Sequence, residues 1–535
     1  MAAMPTGFEI VLTASRAEMS QYGPEVGAPA DAFIAFVSTF PNRYVRPIVR
    51  KFFVPMDGRD GRARFAPYSL RKIEALLGDQ AGTDTVAVCH PDNMAKFVGG
   101  RTRLVGITTM DPLGLGYVSV TYNSLIPFGG ETVGSAEFKK LMARVRALKK
   151  NREFKVVVGG EGTWQIEQSG LRAAFGIDTL VLGRADAGLA SLLEGIIAGP
   201  APPVVRFGPG SRALTEAVPL IRRPAIYGDV EITRGCGRGC AFCSPNLSAR
   251  YSVPLADVMR EVEVNVRGGA DSVFMITDDL FLYGAHEGFV PDRGAVAGLV
   301  EAIAGHPGVK WINLSHACLA PALIDKKLVS EIAPILIEKS SRHLRGKRYA
   351  TVEVGLESGS VGIMRAHMPG KALPFKVEDW PSIVRDGIGV LNDNGIYPLG
   401  TIVVGWPGET EGDAIETARL LASLHDQEAM LFYTPVLFVP IERTSLERAA
   451  PASLEALSPI QLSIIERCWE FNVELWGGKV PKSWIRIIGL AAKAVGLGRR
   501  LTGGKSPFIH DRLGSYLLKA RIPCDPGLCD RSSGS

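Results

Sequence analysis

"RGCGRGCAFC", residues 234–243, places Cys236, Cys240 and Cys243 within eight positions of a 535-residue chain that holds eight cysteines in all. Thiolates bind soft and borderline metals, zinc and the iron of iron–sulfur clusters among them. A closed structural zinc site takes four ligands, commonly from two separated pairs. Here there is one C-x3-C-x2-C group with no fourth cysteine or histidine nearby. A cubane cluster normally takes four thiolates, so three leave one iron open. An open metal position is a catalytic feature, because substrate or cofactor can bind there. Two other readings stand at this level: a zinc site that borrows a distant ligand, and three unrelated cysteines. Gly235, Gly237 and Gly239 allow the tight wrap a cluster loop needs.

The loop follows a candidate strand at 229–233. Further candidate strands lie at 272–278, 310–317, 350–357, 398–405 and 431–439. Helical patterns separate them near 254–268, 292–305, 323–336, 378–394 and 411–425, with one more at 453–472. Six strand–helix units fit a partial (β/α)6 barrel, in which chemistry gathers at the C-terminal strand ends. The cysteine loop lies on that face.

Upstream, "EIVLTAS" (9–15), "TVAVCHP" (85–91), "LVGITTM" (104–110), "KVVVGGE" (155–161) and "TLVLGRA" (179–185) are short apolar runs, suited to parallel strands covered on both faces. Helical patterns at 68–79, 135–150 and 187–199 alternate with them. The alternation predicts a doubly wound, Rossmann-like α/β domain with its ligand site at the carboxyl ends of the strands. Those ends carry Thr108, Thr109, Asp111, Gly159, Gly160, Glu161 and Gly183. The expected division is a Rossmann-like domain over 1–197, a Pro/Gly-rich linker over 198–228, the barrel over 229–445 and a small, mainly helical region over 446–535.

Hydrophobic content of 46% and charged content of 21% belong to a folded globular protein. A net charge of +5 is too small to argue for nucleic acid. The start has no signal- or transit-peptide pattern, and no stretch has the apolar length of a membrane span. A cytoplasmic location is expected, where thiols stay reduced and clustered cysteines mean metal or redox chemistry.

The cysteine spacing, with the aromatic Phe242 before the last cysteine, resembles the radical SAM superfamily. The resemblance implies that Cys236, Cys240 and Cys243 hold a [4Fe–4S] cluster whose open iron chelates S-adenosylmethionine. Reductive cleavage then releases a 5′-deoxyadenosyl radical that takes hydrogen from a substrate. A flavodoxin- or ferredoxin-type donor would supply the electron. "VEVGLESGS" (352–360) resembles the fourth strand of that family and implies Glu357 and Ser358 at the ribose; a carboxylate can accept both hydroxyls. "GTIVVGWPGETEGD" (400–413) resembles the fifth strand and implies Ile402 and Gly405 at the adenine. "FMITDD" (274–279) puts Asp278 and Asp279 where relatives receive the methionine ammonium, although the common Gly-Gly-Glu form is missing. "NLSHACLAPALIDKKLVSEI" (313–332) resembles the third strand and helix, with His316 at the strand end.

A doubly wound domain ahead of such a barrel resembles the cobalamin-binding (class B methylase-like) group, as does "MPGKALPF" (368–375). The resemblance implies cobalamin against Thr108, Thr109, Gly159, Gly160 and Gly183, and methyl transfer to an unactivated carbon. Two features depart from the group. No Asp-x-His-x-x-Gly loop is present, His90 standing in another context, so cobalt would have no protein ligand or a water. The usual Gly-Glu-Gly-Glu end of the last strand reads "GRADAG", with Arg184 and Asp186. A radical SAM cyclase or carbon–carbon coupling enzyme without methylcobalamin is the alternative.

Seven basic residues and no acidic one lie between Leu475 and His510, interleaved with "WIRIIGLAAKAVGLGRRL" (484–501). Such a segment reads either as a helix packed on the barrel or as a peripheral membrane contact over 479–505 with a lipid substrate. Cys468, Cys524 and Cys529 could hold a second cluster; Cys89 and Cys318 read as packed thiols.

Overall fold

The computed structural model describes residues 7–21, 37–81, 85–126, 130–184, 188–208, 219–244, 249–285 and 288–476. The basic segment 479–505, Asp186, Cys524 and Cys529 lie outside the described residues.

The N-terminal sheet has six parallel strands: β1 (Ile10–Thr13), β2 (Val86–Val88), β3 (Leu104–Thr108), β4 (Lys155–Gly159), β5 (Thr179–Leu182) and β6 (Val204–Arg206). Their order is β2-β1-β3-β4-β5-β6. The β-period of two sorts the side chains onto two covered faces. Ile10, Leu12, Val86, Val88, Val157 and Val181 pack with Leu70, Leu77, Leu189 and Leu193 of helices Tyr68–Ala81 and Gly188–Ala198. Val11, Val105, Ile107, Val156 and Val158 pack with Phe138, Leu141 and Val145 of helix Val133–Lys149. The order reverses between β1 and β3, which opens the expected crevice at their carboxyl ends.

One correction concerns the linker. Val204–Arg206, inside the proline-rich stretch, pairs in parallel with Leu180–Leu182, so the sheet runs past residue 197. Prolines 200, 202 and 203 are tolerated because they precede an edge strand.

The second domain begins at β7 (Asp229–Glu231). A short antiparallel hairpin, β8 (Thr233–Arg234) and β9 (Tyr251–Ser252), brackets the cysteine loop. The barrel continues through β10 (Ser272–Ile276) and β11 (Trp311–Leu314), then a surface hairpin of β12 (His343–Leu344) and β13 (Lys347–Arg348). It ends with β14 (Glu353–Glu357), β15 (Leu399–Val404) and β16 (Phe432–Leu437). Two parallel three-stranded sheets, β11-β10-β7 and β14-β15-β16, meet at a parallel bridge between His316 and Glu353. There the Glu353 N–H donates to Ser315 O at 2.9 Å and the Ala317 N–H to Glu353 O at 3.0 Å. The result is an arc of six parallel strands, the expected partial barrel.

The free edge of β16 is covered. The Leu437 N–H donates to Thr121 Oγ1 at 2.8 Å, from the N-terminal domain's helix Tyr117–Leu125. Asn472, on helix Pro459–Trp476, accepts from the Tyr433 N–H at 2.8 Å and donates to its carbonyl at 2.7 Å. The helix at 117–125 goes unread in the sequence because "YVSVTYNSL" is rich in β-branched and aromatic residues. Contact with β16 overrides that local preference. The third barrel helix is split in two, Leu319–Ile324 and Lys326–Glu338; Asp325 breaks it and caps the second half through the Leu328 N–H at 3.0 Å. The domains also join through Glu261, whose carboxylate takes Tyr68 Oη at 2.7 Å and Lys72 Nζ at 2.5 Å.

Candidate functional site

Cys236, Cys240 and Cys243 line one cavity of about 330 Å³ at the C-terminal end of the barrel. Gly235, Gly237 and Gly239 all take positive φ, which winds the loop into a tight wrap. Its base is pinned by the Gly235 N–H, which donates to Asp278 Oδ2 at 2.6 Å. Its middle is held by Arg238, buried at 3% exposure, whose Nη1 donates to the carbonyls of Gly370, Lys371 and Leu373 at 3.2, 3.1 and 2.9 Å. The "MPGKALPF" segment is thereby clamped onto the cysteine loop. Its end is tied by the Ala241 N–H to His367 O at 2.7 Å. Phe242 packs edge-on against Trp406, ring centroids 5.0 Å apart, and Trp406 stacks on His367.

Burial pushes the Cys236 thiol up to about 11, partly offset by Arg238; burial and then Cys240 raise Cys243 well above the usual thiol range. Metal binding here must therefore displace protons. Among the described residues no three His, Cys, Asp or Glu side chains converge as ligands of a single ion. Thiolates on separate irons of a cubane need no such convergence.

Glu357 also lines the cavity. It sits at φ +61°, beside a register shift in the β14–β15 pairing between Gly355 and Glu357. A non-glycine residue in that region is strained, and such strain clusters at functional sites. Lys371 Nζ holds its carboxylate at 2.7 Å. Burial pulls the Lys371 pKa down, but Glu357, Cys240 and Cys318 outweigh it, so the ammonium stays charged. Asp278 faces the same cavity; burial raises its pKa against the opposing Arg184 charge and the Gly235 N–H.

Other expected residues stand elsewhere. Asp279 does not line this cavity; it is 2% exposed, accepts from the Cys318 N–H at 3.1 Å and pairs with Arg238 at 3.4 Å. Ser358 faces Thr417, Oγ to Oγ1 at 3.0 Å, and Ile402 is 1% exposed in the core. The strand period decides this: Thr401 and Val403, on the other face of β15, line the cavity. Gly405 packs by Ala452 and Leu457, its N–H donating to Glu409. Cys318, read as a packed thiol, lines the cavity instead. Cys468 is fully buried in its helix, and His90 is 2% exposed and accepts from the Asp92 N–H. Sequence reasoning passes over Tyr117, Glu353 and Lys371. Tyr117 lies seven residues past the end of "LVGITTM", and Lys371 lies within "MPGKALPF", but a lone lysine carries no mark of burial.

A larger cavity, about 700 Å³, lies between the domains. Thr108, Thr109, Gly160 and Gly183 line it from the N-terminal sheet; Asp229, Phe274, Ile441 and Arg443 line it from the barrel. A third, apolar cavity of about 330 Å³ runs from Thr108, Gly159, Gly160 and Gly183 into the N-terminal domain, past Leu12, Gly106, Val157, Val181 and Leu193. Ser244 and Ile441 line both the cysteine cavity and the interdomain cavity, so the two adjoin.

Residues 230–421 match the family model for the radical SAM superfamily. The chain carries a radical SAM domain. Two curated relatives are methylthiotransferase-type enzymes. The ribosomal protein uS12 methylthiotransferase RimO of Sorangium cellulosum is 34% identical over 241 residues, 44% of each chain. The tRNA-2-methylthio-N(6)-dimethylallyladenosine synthase of Acidithiobacillus ferrooxidans is 29% identical over 222 residues, 40% of this chain and 44% of that one. The matches thus span less than half the length of these relatives. Among solved structures, the radical S-adenosylmethionine methyltransferase TsrM from Kitasatospora setae, with cobalamin and a [4Fe–4S] cluster bound, superposes with TM-score 0.52 and 16% identity. That match covers 82% of this chain and 77% of the other, so the likeness of fold extends well beyond the radical SAM domain. The same enzyme with tryptophan and an aza analogue of S-adenosylmethionine gives 0.50.

Proposed function

We propose that the chain is a cobalamin-dependent C-methyltransferase acting on an unactivated carbon. Bound [4Fe–4S] cluster and S-adenosylmethionine supply a hydrogen-abstracting radical, and bound cobalamin supplies a methyl group. Cys236, Cys240 and Cys243 bind the cluster. Asp278 receives the methionine ammonium. Glu357, oriented by Lys371, accepts the ribose hydroxyls. Thr108, Thr109, Gly159, Gly160 and Gly183 form the corrinoid side. Asp229 lines that cavity, and burial pushes its carboxyl up to about 8. It is a proton donor at neutral pH, suited to an amide carbonyl.

The observation that carries the reading is the adjoining of the cysteine and interdomain cavities through Ser244 and Ile441. One substrate carbon can face both. The methylthiotransferase relatives favour a second reading, methylthio transfer by the same domain, which needs no cobalt.

The test is reductant-dependent 5′-deoxyadenosine from the anaerobically reconstituted full chain. Cys236→Ala, Cys240→Ala and Cys243→Ala each abolish it, and Cys524→Ala does not. Cleavage that persists in all three variants would sink the cluster assignment.

A further inference from the structure

The cofactor assignments leave one carboxylate of the cysteine cavity unused. β14 turns Glu353, Gly355 and Glu357 toward the cavity, while Val354 and Leu356 are each 1% exposed in the core. Glu353 lies two pleats before Glu357, about 13 Å along an extended strand, too far for one ribose to engage both. Among the described residues its side chain makes no hydrogen bond. The His316 ring lies beside it, Nε2 to Oε2 3.6 Å. Burial raises the Glu353 pKa, opposed by His316 and reinforced by Glu357. Its side chain keeps 25% of its surface open to the cavity, so a molecule that fills the cavity displaces water from the carboxylate and must donate to it in turn.

The surroundings indicate which molecule. Arg238 pairs with Asp279 at 3.4 Å, and Lys371 pairs with Glu357. Asp278 already accepts from the Gly235 N–H and faces the proposed methionine ammonium. Glu353 is the negative group left over. Tyr117, 42% exposed, enters the same cavity from the N-terminal domain. Apolar residues line the same cavity, among them Val403, Val436, Leu437 and Phe438.

We infer that Glu353, flanked by His316 and Tyr117, anchors a protonated amine of the substrate, with its carbon skeleton against the apolar wall. The substrate is then an amine-bearing small molecule and not a bare hydrocarbon lipid. This rests on the cavity being the radical site. The test uses the full chain carrying its cluster, with excess S-adenosylhomocysteine filling the Asp278 side. Benzylamine and its neutral counterpart benzyl alcohol are titrated by saturation-transfer NMR. Benzylamine is expected to bind at least about tenfold tighter than benzyl alcohol, a factor that Glu353→Gln erases while Glu301→Gln, on the exposed side of helix Arg293–Gly305, keeps it. Equal binding of the two probes by the unmodified chain overturns the inference. So does benzylamine binding that survives Glu353→Gln. Should that variant fail to fold, the selectivity of the unmodified chain decides alone. Deoxyadenosine formation is read separately, so failure here is distinguishable from failure of the radical SAM reading.

Discussion

Glu357 shows how one residue's backbone serves its side chain. Its left-handed conformation turns the carboxylate over β14 toward Lys371, and Gly355 leaves the room for it. A Cβ at Gly355 would collide with both Glu357 Oε1 and Lys371 Nζ. Gly355→Ala is therefore expected to displace the pair and weaken S-adenosylhomocysteine binding about tenfold, about 1.4 kcal/mol. Calorimetric titration measures it; unchanged affinity would mean the pair does not shape the nucleoside site. Lys371→Met has the larger effect on stability, since it strands a buried carboxylate at a cost of about 3 kcal/mol. The denaturant midpoint reports this. At this scale the sequence is readable where residue type is rare and clustered, as with the cysteines. It is silent on Lys371 and Glu353, whose roles depend on neighbours more than ten residues away.

Among the elements, β16 is the one that most needs its neighbours. It pairs with β15 on one side, and Thr121 and Asn472 cover the other. Asn472→Ala leaves a buried N–H and C=O of Tyr433 without partners, an expected loss of about 2–4 kcal/mol read from urea unfolding. A change below about 0.5 kcal/mol would mean water replaces the amide. All five N-terminal strands read from the sequence, and all six barrel strands, are present, because runs such as "KVVVGG" satisfy a two-face-covered strand wherever they occur. Strand phase was harder. "GTIVVG" is apolar on both faces, so nothing in it separates Ile402, turned to the core, from Thr401 and Val403, turned to the cavity. The short edge strand Val204–Arg206 was hidden by its prolines.

For the whole molecule, the consequential feature is the seam between domains, which no local pattern announces. Tyr117 crosses it into the cysteine cavity, and Asp229 lines it with no counter-ion among the described residues. Burial raises the Asp229 pKa to about 8, against about 3.9 in an unfolded chain. The folded state thus holds the proton longer, and this carboxyl lowers stability progressively as pH rises from about 4 to about 8. Asp229→Asn should gain melting temperature over the unmodified chain at about pH 8, and much less at about pH 5; an equal gain at both would contradict the assignment. In the proposed function the two adjoining cavities hold a cluster and a corrinoid side by side. The most direct measurement is iron and cobalt per chain after anaerobic reconstitution with iron, sulfide and hydroxocobalamin and removal of unbound material. The expected result is about four irons and about one cobalt, with the triple variant Cys236→Ala, Cys240→Ala, Cys243→Ala losing the iron and keeping the cobalt. Iron without cobalt would contradict the methyltransferase reading, and iron retained by the triple variant would contradict the site itself.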